Sequence, residues 1–348
     1  MASKVFLYIG LPKTGTTYLQ SILWDSRDRL AADGVLLPGE GHREHLWAAL
    51  ELRGSPGLAR RHRSAPGALG RLVAQVNAHP GAAVLAHEFM CGAGRRQARR
   101  LVESLQPAEV HVVITARDAL GMLTAGWAEY VKNGGVRSLG ELADAPGKAP
   151  QEFSWRTWDL GGVLQRWTPR LPADRVHVLT MPPPGSAPDQ HWRNLASVLG
   201  VDPSAYSAPR NPVNPALGVV QLELLRRVNA HLRGFGRAVD RGTWIRGYLA
   251  EGHLAGQEGV RAGADAAQVE DCRRRADEAV RVIAERGLHV VGELGSLQVP
   301  EVVPQRPTPG DVDDGALVEA GARLIADMLT DIRRSSRGPV REGSLPEG

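Results

Sequence analysis

The chain of 348 residues has little cysteine: Cys91 and Cys272 are the only two, and neither lies in metal-ligand spacing. That excludes a disulfide framework and any readable zinc motif, and it fits buried thiols in a reducing compartment. No run of about 18 uninterrupted apolar residues occurs, so no membrane-spanning helix is expected. The apolar run near the N-terminus is short and lacks a basic leader and a small-residue cleavage site, which predicts a cytoplasmic protein. Excess charge is also small, at +4. The clusters Arg60-Arg61-His62-Arg63, Arg95-Arg96 with Arg99-Arg100, and Arg273-Arg274-Arg275 fall in helix-like or loop stretches where solvated arginines are ordinary. No nucleic-acid module surrounds them, so nucleic acid is not an expected partner. There is no internal repeat and no acidic cluster suited to a metal.

Lysine is scarcer still, with only Lys4, Lys13, Lys132 and Lys148 among 42 basic residues. One of these four stands in the segment around which the chain is organised. Val5 to Ile9 is an apolar, β-branched and aromatic run of strand length. Gly10-Leu11-Pro12-Lys13-Thr14-Gly15-Thr16-Thr17 follows, and the helical pattern Tyr18 to Trp24 begins directly after it. Strand, loop and helix in that order present backbone N–H groups at the positive end of a helix dipole, and Gly15 lets an anion approach without a Cβ in the way. The common nucleotide-triphosphatase loop places its lysine after the last glycine, whereas Lys13 lies two residues before Gly15. Arginine and lysine are not equivalent where a compact ammonium must follow a moving charge, so lysine here fits a catalytic role.

Further along, His42 to Leu52 and residues 68 to 79 read as helices, and Val84 to His87 as a second strand ending in His87-Glu88. Gly94 to Leu105 is helical. Val110 to Thr115 is a β-branched run suited to a sheet buried on both faces, followed by Ala116-Arg117-Asp118 and a helix over 119–132. A Gly-, Pro- and Ala-rich connection spans 133–152. A single helix is expected from Phe153 to Trp167, its tryptophans in the core. Arg175 to Thr180 is a fourth strand, and helices follow near 189–199, 216–232, 243–255, 265–286 and 315–333. Residues 201–215 read as irregular, Leu288 to Val291 as an edge strand or extended arm, and Arg334 onward as a disordered tail. The alternation predicts an α/β fold with a central parallel sheet flanked by helices on both faces, plus extra C-terminal helices. Lys13, His87 and Arg117 then fall at the carboxyl ends of three strands, where sites in such sheets gather. One domain is expected over 1–300, its motifs in 1–200, with an extension over 301–348.

The run Pro12-Lys13-Thr14-Gly15-Thr16-Thr17 after the first strand resembles the 5′-phosphosulfate loop of sulfotransferases that use 3′-phosphoadenosine-5′-phosphosulfate (PAPS). The resemblance implies a phosphate-loop fold and an in-line, metal-independent transfer of a sulfuryl group to a hydroxyl or amine of a small-molecule or carbohydrate-like acceptor, PAPS leaving as 3′-phosphoadenosine-5′-phosphate (PAP). Such a transfer needs positioning, charge stabilisation on the departing oxygen, and removal of the acceptor's proton. The resemblance gives Lys13 the departing oxygen, and the loop residues Lys13, Thr14, Gly15, Thr16 and Thr17 the donor's phosphosulfate. It gives Arg117 the 3′-phosphate, and His87 the base, with Glu88 as the alternative. The chain departs from the family in three places. It has Ala125 where a serine usually stands eight residues after the arginine, it lacks a histidine-leucine-proline run after the second strand, and its C-terminal nucleotide loop has only Arg241-Gly242 and Arg246 as candidates. A phosphate-loop kinase or nucleotidase, and a non-catalytic PAP-binding protein on the same scaffold, are the alternative functions.

Overall fold

Lys4–Tyr8 forms strand β1, whose last four residues are buried. The computed structural model describes residues 2–144, 151–207 and 216–336. Beside β1 lie β2 (Val35–Leu36), β3 (Ala82–Ala86), β4 (Glu109–Ala116), β5 (Val176–Thr180) and β6 (His289–Val291). They make one six-stranded sheet in the order β2-β3-β1-β4-β5-β6, and every pairing is parallel. The α/β fold with helices on both faces of a parallel sheet is thus as expected.

Both faces are covered because both sets of alternating side chains are apolar. On one face Phe6, Tyr8, Val84, Val113 and Leu179 pack with Leu19, Ile22 and Leu23 of the helix Thr16–Asp25 and with Trp192 and Leu195 of the helix Gln190–Leu199. On the other, Val5, Leu7, Val112, Ile114 and Val178 are fully buried as well. From β1 the chain proceeds to β2 and β3 on one side, then crosses to β4 on the other. The crevice at such a reversal opens at the carboxyl end of the strands, where the loop Gly10–Gly15 leaves β1.

Several boundaries depart from the sequence expectations. The expected helix from Phe153 to Trp167 is two, Trp155–Trp158 and Leu160–Trp167, because Asp159 adopts an extended ψ of 104° and caps the second through Gly162 N–H. Its tryptophans are core residues, between 2% and 5% exposed. Within the connection 133–152 stands a further helix, Leu139–Asp144. β6 is an edge strand, parallel to β5. The expected tail lies, from residue 337 on, outside the described residues, as do 145–150 of the connection and 208–215 of the irregular stretch.

By internal contacts the chain divides into two compact units. The first, Met1–Trp127, Gly140–Val213 and Asp265–Val303, contains the sheet. The second combines Ala128–Leu139, Asn214–Ala264 and Pro304–Gly348, a division that does not follow residue 300. Within this second unit Asn229 donates to the carbonyls of Val131 (2.8 Å) and Gly135 (2.9 Å). The helical stretch expected near 243–255 is a π-helix over Arg241–His253. Its glycines, Gly242, Gly247 and Gly252, recur every five residues, the spacing of π hydrogen bonds. A Cβ on Gly247 would stand 3.3 Å from the Gly242 carbonyl oxygen, and one on Gly252 3.1 Å from that of Gly247.

Candidate active site

The loop after β1 is held from beneath by a chain of hydroxyls. Ile9 and Leu11 continue the pairing with β4, their N–H groups donating to Val113 (3.0 Å) and Thr115 (2.9 Å) carbonyls. The Thr14 hydroxyl donates to the Leu11 carbonyl at 2.6 Å and lies 2.7 Å from the Thr115 hydroxyl, which in turn is 3.2 Å from the Tyr8 phenol. One hydrogen per oxygen makes Thr115 the donor to Thr14, and Tyr8 the donor to Thr115. Burial pushes the Tyr8 phenol far above its ordinary pKa, so it stays a donor. This fastening occupies the Thr14 hydroxyl, and the residue is fully buried.

Above that fastening the backbone turns sharply. Lys13 is the only non-glycine with positive φ among the described residues, at 64°, and Gly15 follows at 71°. Left-handed residues on either side of Thr14 turn successive N–H groups toward one concavity, the anion-binding arrangement known as a nest. The helix Thr16–Asp25 has no side-chain cap and no acidic residue in its first turn. Among the described residues the N–H groups of Gly15, Thr16 and Thr17 have no acceptor. Thr16 is buried and Thr17 exposed. His191, 7% exposed, buttresses the loop by donating from Nε2 to the Thr14 carbonyl at 2.9 Å. Its ring lies 2.9 Å from where a Gly15 Cβ would stand, so Gly15 answers both a conformational and a packing demand. Burial holds His191 below its ordinary pKa, hence neutral.

At the end of neighbouring β3, His87 is not the last strand residue but the cap of a short 3₁₀ turn, Glu88–Gly92. Its Nδ1 accepts from Phe89 N–H at 3.1 Å, which places the proton of the neutral ring on Nε2. Burial lowers its pKa, so the ring is neutral despite Glu88 beside it. Glu88 Oε2 accepts from Gln20 Nε2 at 2.7 Å, and Gln20 Oε1 accepts from His42 Nε2 at 2.7 Å. Burial works to raise the Glu88 carboxyl and the hydrogen bond from the Gln20 amide works to lower it, while the neutral His87 ring adds no charge to either side. The Glu88 side chain keeps 19% exposure. Gln20 and His42 were not foreseen: they come from separate helices with no shared motif.

Arg117 follows β4 directly. Its guanidinium lies against the first turn of the helix Ala119–Lys132, with Cζ 2.7 Å from where a Gly121 Cβ would stand. Asp118 is occupied in capping that helix, Oδ1 accepting from Gly121 N–H at 2.6 Å. The Arg117–Asp118 ion pair is long, at 3.8 Å, and Arg117 Nε is buried without a hydrogen-bond partner among the described residues. A cation at the positive end of a helix is unfavourable unless an anion joins it. The Thr124 hydroxyl is bound back to the Leu120 carbonyl at 3.0 Å, so it does not replace the serine absent at Ala125. In the second unit Arg241 donates to the carbonyls of Phe235 and Gly236, and Arg246 pairs with Glu129 and Glu251.

The strand order therefore puts His87-Glu88, Lys13 to Thr17 and Arg117 at the carboxyl ends of three adjacent strands, β3, β1 and β4. An open cavity of about 770 Å³ lies elsewhere, lined by Arg95, Arg99, Arg166 and Arg175 among others and by none of these residues. Among the described residues no group of three or more histidine, cysteine, aspartate or glutamate side chains could hold a metal. No helix there is long and apolar enough to cross a membrane. No family model, curated protein or solved structure matches the chain.

Proposed function

We propose that the protein is a sulfotransferase that takes its sulfuryl group from PAPS and passes it to a hydroxyl or amine of a small-molecule or carbohydrate-like acceptor. One observation carries this reading: the loop Pro12 to Thr17 combines two left-handed residues, an uncapped helix N-terminus and the only loop lysine on the central three strands. The fit to an anionic nucleotide is supported at two points, the N–H groups of Gly15, Thr16 and Thr17 and the Nε of Arg117, none of which has a hydrogen-bond partner among the described residues. Gly15 to Thr17 would hold the 5′ group and Arg117 the 3′-phosphate, a charge-assisted contact stronger than the missing serine would make. Bound PAPS would supply the activated sulfuryl group. Lys13 would place its ammonium on the departing oxygen.

Hydrogen bonding favours Glu88 over His87 as the base. The His87 lone pair at Nδ1 is already engaged by Phe89 N–H, and Nε2 carries the proton, so the ring can donate to an acceptor but not take its hydrogen. Glu88, oriented through Oε2 by Gln20, would act as the ionised carboxylate that receives the proton. His87 Nε2–H would orient the acceptor oxygen while Glu88 removes its hydrogen. The same proposal sets the enzyme in a reducing cytoplasm, on the strength of its two buried thiols, each pushed up to about 12 by burial.

Thermal-shift measurements with PAP, ATP and ATP plus magnesium test the donor, because a ligand that binds the native state raises the midpoint by mass action. Stabilisation by PAP alone is expected. Selective stabilisation by ATP with magnesium would instead make the protein a kinase or nucleotidase. Tight PAP binding without transfer to any acceptor in a broad panel would make it a binding protein.

A further inference from the structure

The helix Asp314–Ser336 of the second unit carries two apolar faces. Leu317, Ala320 and Leu324 are 5% to 6% exposed, with Gly321 meeting Leu224 of the helix Val219–His231. Next to this packed face runs a second stripe. Val318, Ile325, Leu329 and Ile332 are 71%, 60%, 61% and 59% exposed, and Ala322 between them is exposed too. Side chains of this size leave water only when another surface covers them, and scattered exposure would need no explanation. These five are not scattered. They recur at intervals of four, three, four and three residues over about 21 Å of helix, the repeat of a coiled-coil seam.

We propose that this stripe is a homodimer interface, in which the helix pairs antiparallel with the same helix of a second copy of the chain. In heptad terms Ala322 and Leu329 occupy the a positions, and Val318, Ile325 and Ile332 the d positions. The flanking e positions are Glu319, Ala326 and Arg333. The charges choose the orientation. An antiparallel pair that layers Ala322 on Ile332 and Ile325 on Leu329 of the copy brings Glu319 beside Arg333 of the copy, twice by symmetry. A parallel pair brings Asp314 beside Glu319 of the copy, a like-charge contact. Glu319 already bonds Arg323 within its own helix at 2.8 Å, so the intermolecular pairs add orientation more than strength. Docking against Val219–His231 keeps the helix formed in the monomer, which removes the ordering cost that makes short isolated coiled coils weak.

Sedimentation of the full chain over a wide concentration series tests this. The wild type is expected to shift from monomer to dimer as concentration rises. Ile325→Glu puts a charge in the central layer and should raise the midpoint concentration more than about tenfold. Its thermal melt at low concentration should match that of the wild type, because residue 325 is exposed in the monomer. Glu319→Arg should weaken association, and Glu319→Arg combined with Arg333→Glu should restore it. A wild type that stays monomeric throughout, or an Ile325→Glu variant that dimerises as readily, overturns the interface. A charge swap that fails to restore association overturns the antiparallel register.

Discussion

At the amino end of the sheet, four polar side chains satisfy one another; at the carboxyl end, polar groups are held in place with atoms left over. Glu109 accepts from His111 Nε2 at 2.7 Å, His111 Nδ1 lies 2.8 Å from His177 Nε2, and His177 Nδ1 lies 2.7 Å from His289 Nδ1. Because the carboxylate only accepts, each ring must donate toward Glu109 and accept from the next, which assigns every tautomer in the ladder. Lys4 and Arg175 balance Glu109. No valence remains for a ligand until the outer nitrogen of exposed His289. At the other end Gln20 orients Glu88 and Thr115 fastens Thr14, yet among the described residues Arg117 Nε and the N–H groups of Gly15, Thr16 and Thr17 have no partner. Buried polar groups are normally paired, so hydrogen-bond accounting separates a stabilising network from a candidate site where residue type alone does not.

The largest expected effects break the carboxyl end. Glu88→Gln should keep PAP affinity and lose roughly a hundredfold to ten-thousandfold in transfer rate, the usual cost of removing a general base. His87→Ala should lose less, with the pH dependence of the remaining activity unchanged. The reverse ranking would return the base to His87. Lys13→Ala should lower kcat by about a hundredfold with donor affinity nearly intact, as expected for one charge contact made in the transition state. Near-normal turnover in that variant would remove Lys13 from the mechanism.

Smaller effects sharpen the contrast. Arg117→Ala should weaken PAP by about 1.5–3 kcal/mol, the worth of a hydrogen bond to a charged group, and weaken 5′-AMP much less. Calorimetric titration with both nucleotides decides it, and equal loss for the two would detach Arg117 from the 3′-phosphate. At the amino end, His177→Ala should cost about 1–3 kcal/mol of stability by orphaning its neighbours, and leave transfer unchanged. This end should also respond to pH. Burial, with the neighbouring histidines, holds His177 down to about 4, whereas an unfolded histidine titrates near 6.5. Between those values the unfolded chain binds the extra proton, so the contribution is complete above about pH 6.5 and is lost as pH falls through about 4. Denaturant melts should lose about 1.4 kcal/mol per pH unit per such histidine in that window. His45, also held to about 4 by burial, acts in the same sense. A His177→Ala variant with an undiminished slope would assign the pH dependence elsewhere.

Local order was legible in the chain wherever it rests on neighbours in sequence. The helices His42–Leu52 and Ala119–Lys132 begin and end where periodicity and flanking residues place them. The loop's position after the first strand, and the parallel order implied by alternating strands and helices, follow from the same short-range signals. The break at Asp159 was legible in principle, since Asp followed by Gly161-Gly162 favours a new cap over a continuous helix. The five-residue glycine period of Arg241–His253 was equally available.

What no window of sequence contains is the partner of a side chain sixty or more residues away. Gln20 meets Glu88 only because β1 and β3 are neighbours and the helix after β1 packs over them. His191 reaches the Thr14 carbonyl across 177 residues. The proton position on His87, which moves the base to Glu88 in our proposal, is by contrast local, turning on one hydrogen bond from Phe89 two residues on. Sequence determines which residues can carry charge or protons and where strands end. Tertiary packing alone decides which of their atoms are already bonded, because that depends on distances between segments that hydrophobic burial, not local propensity, brings together.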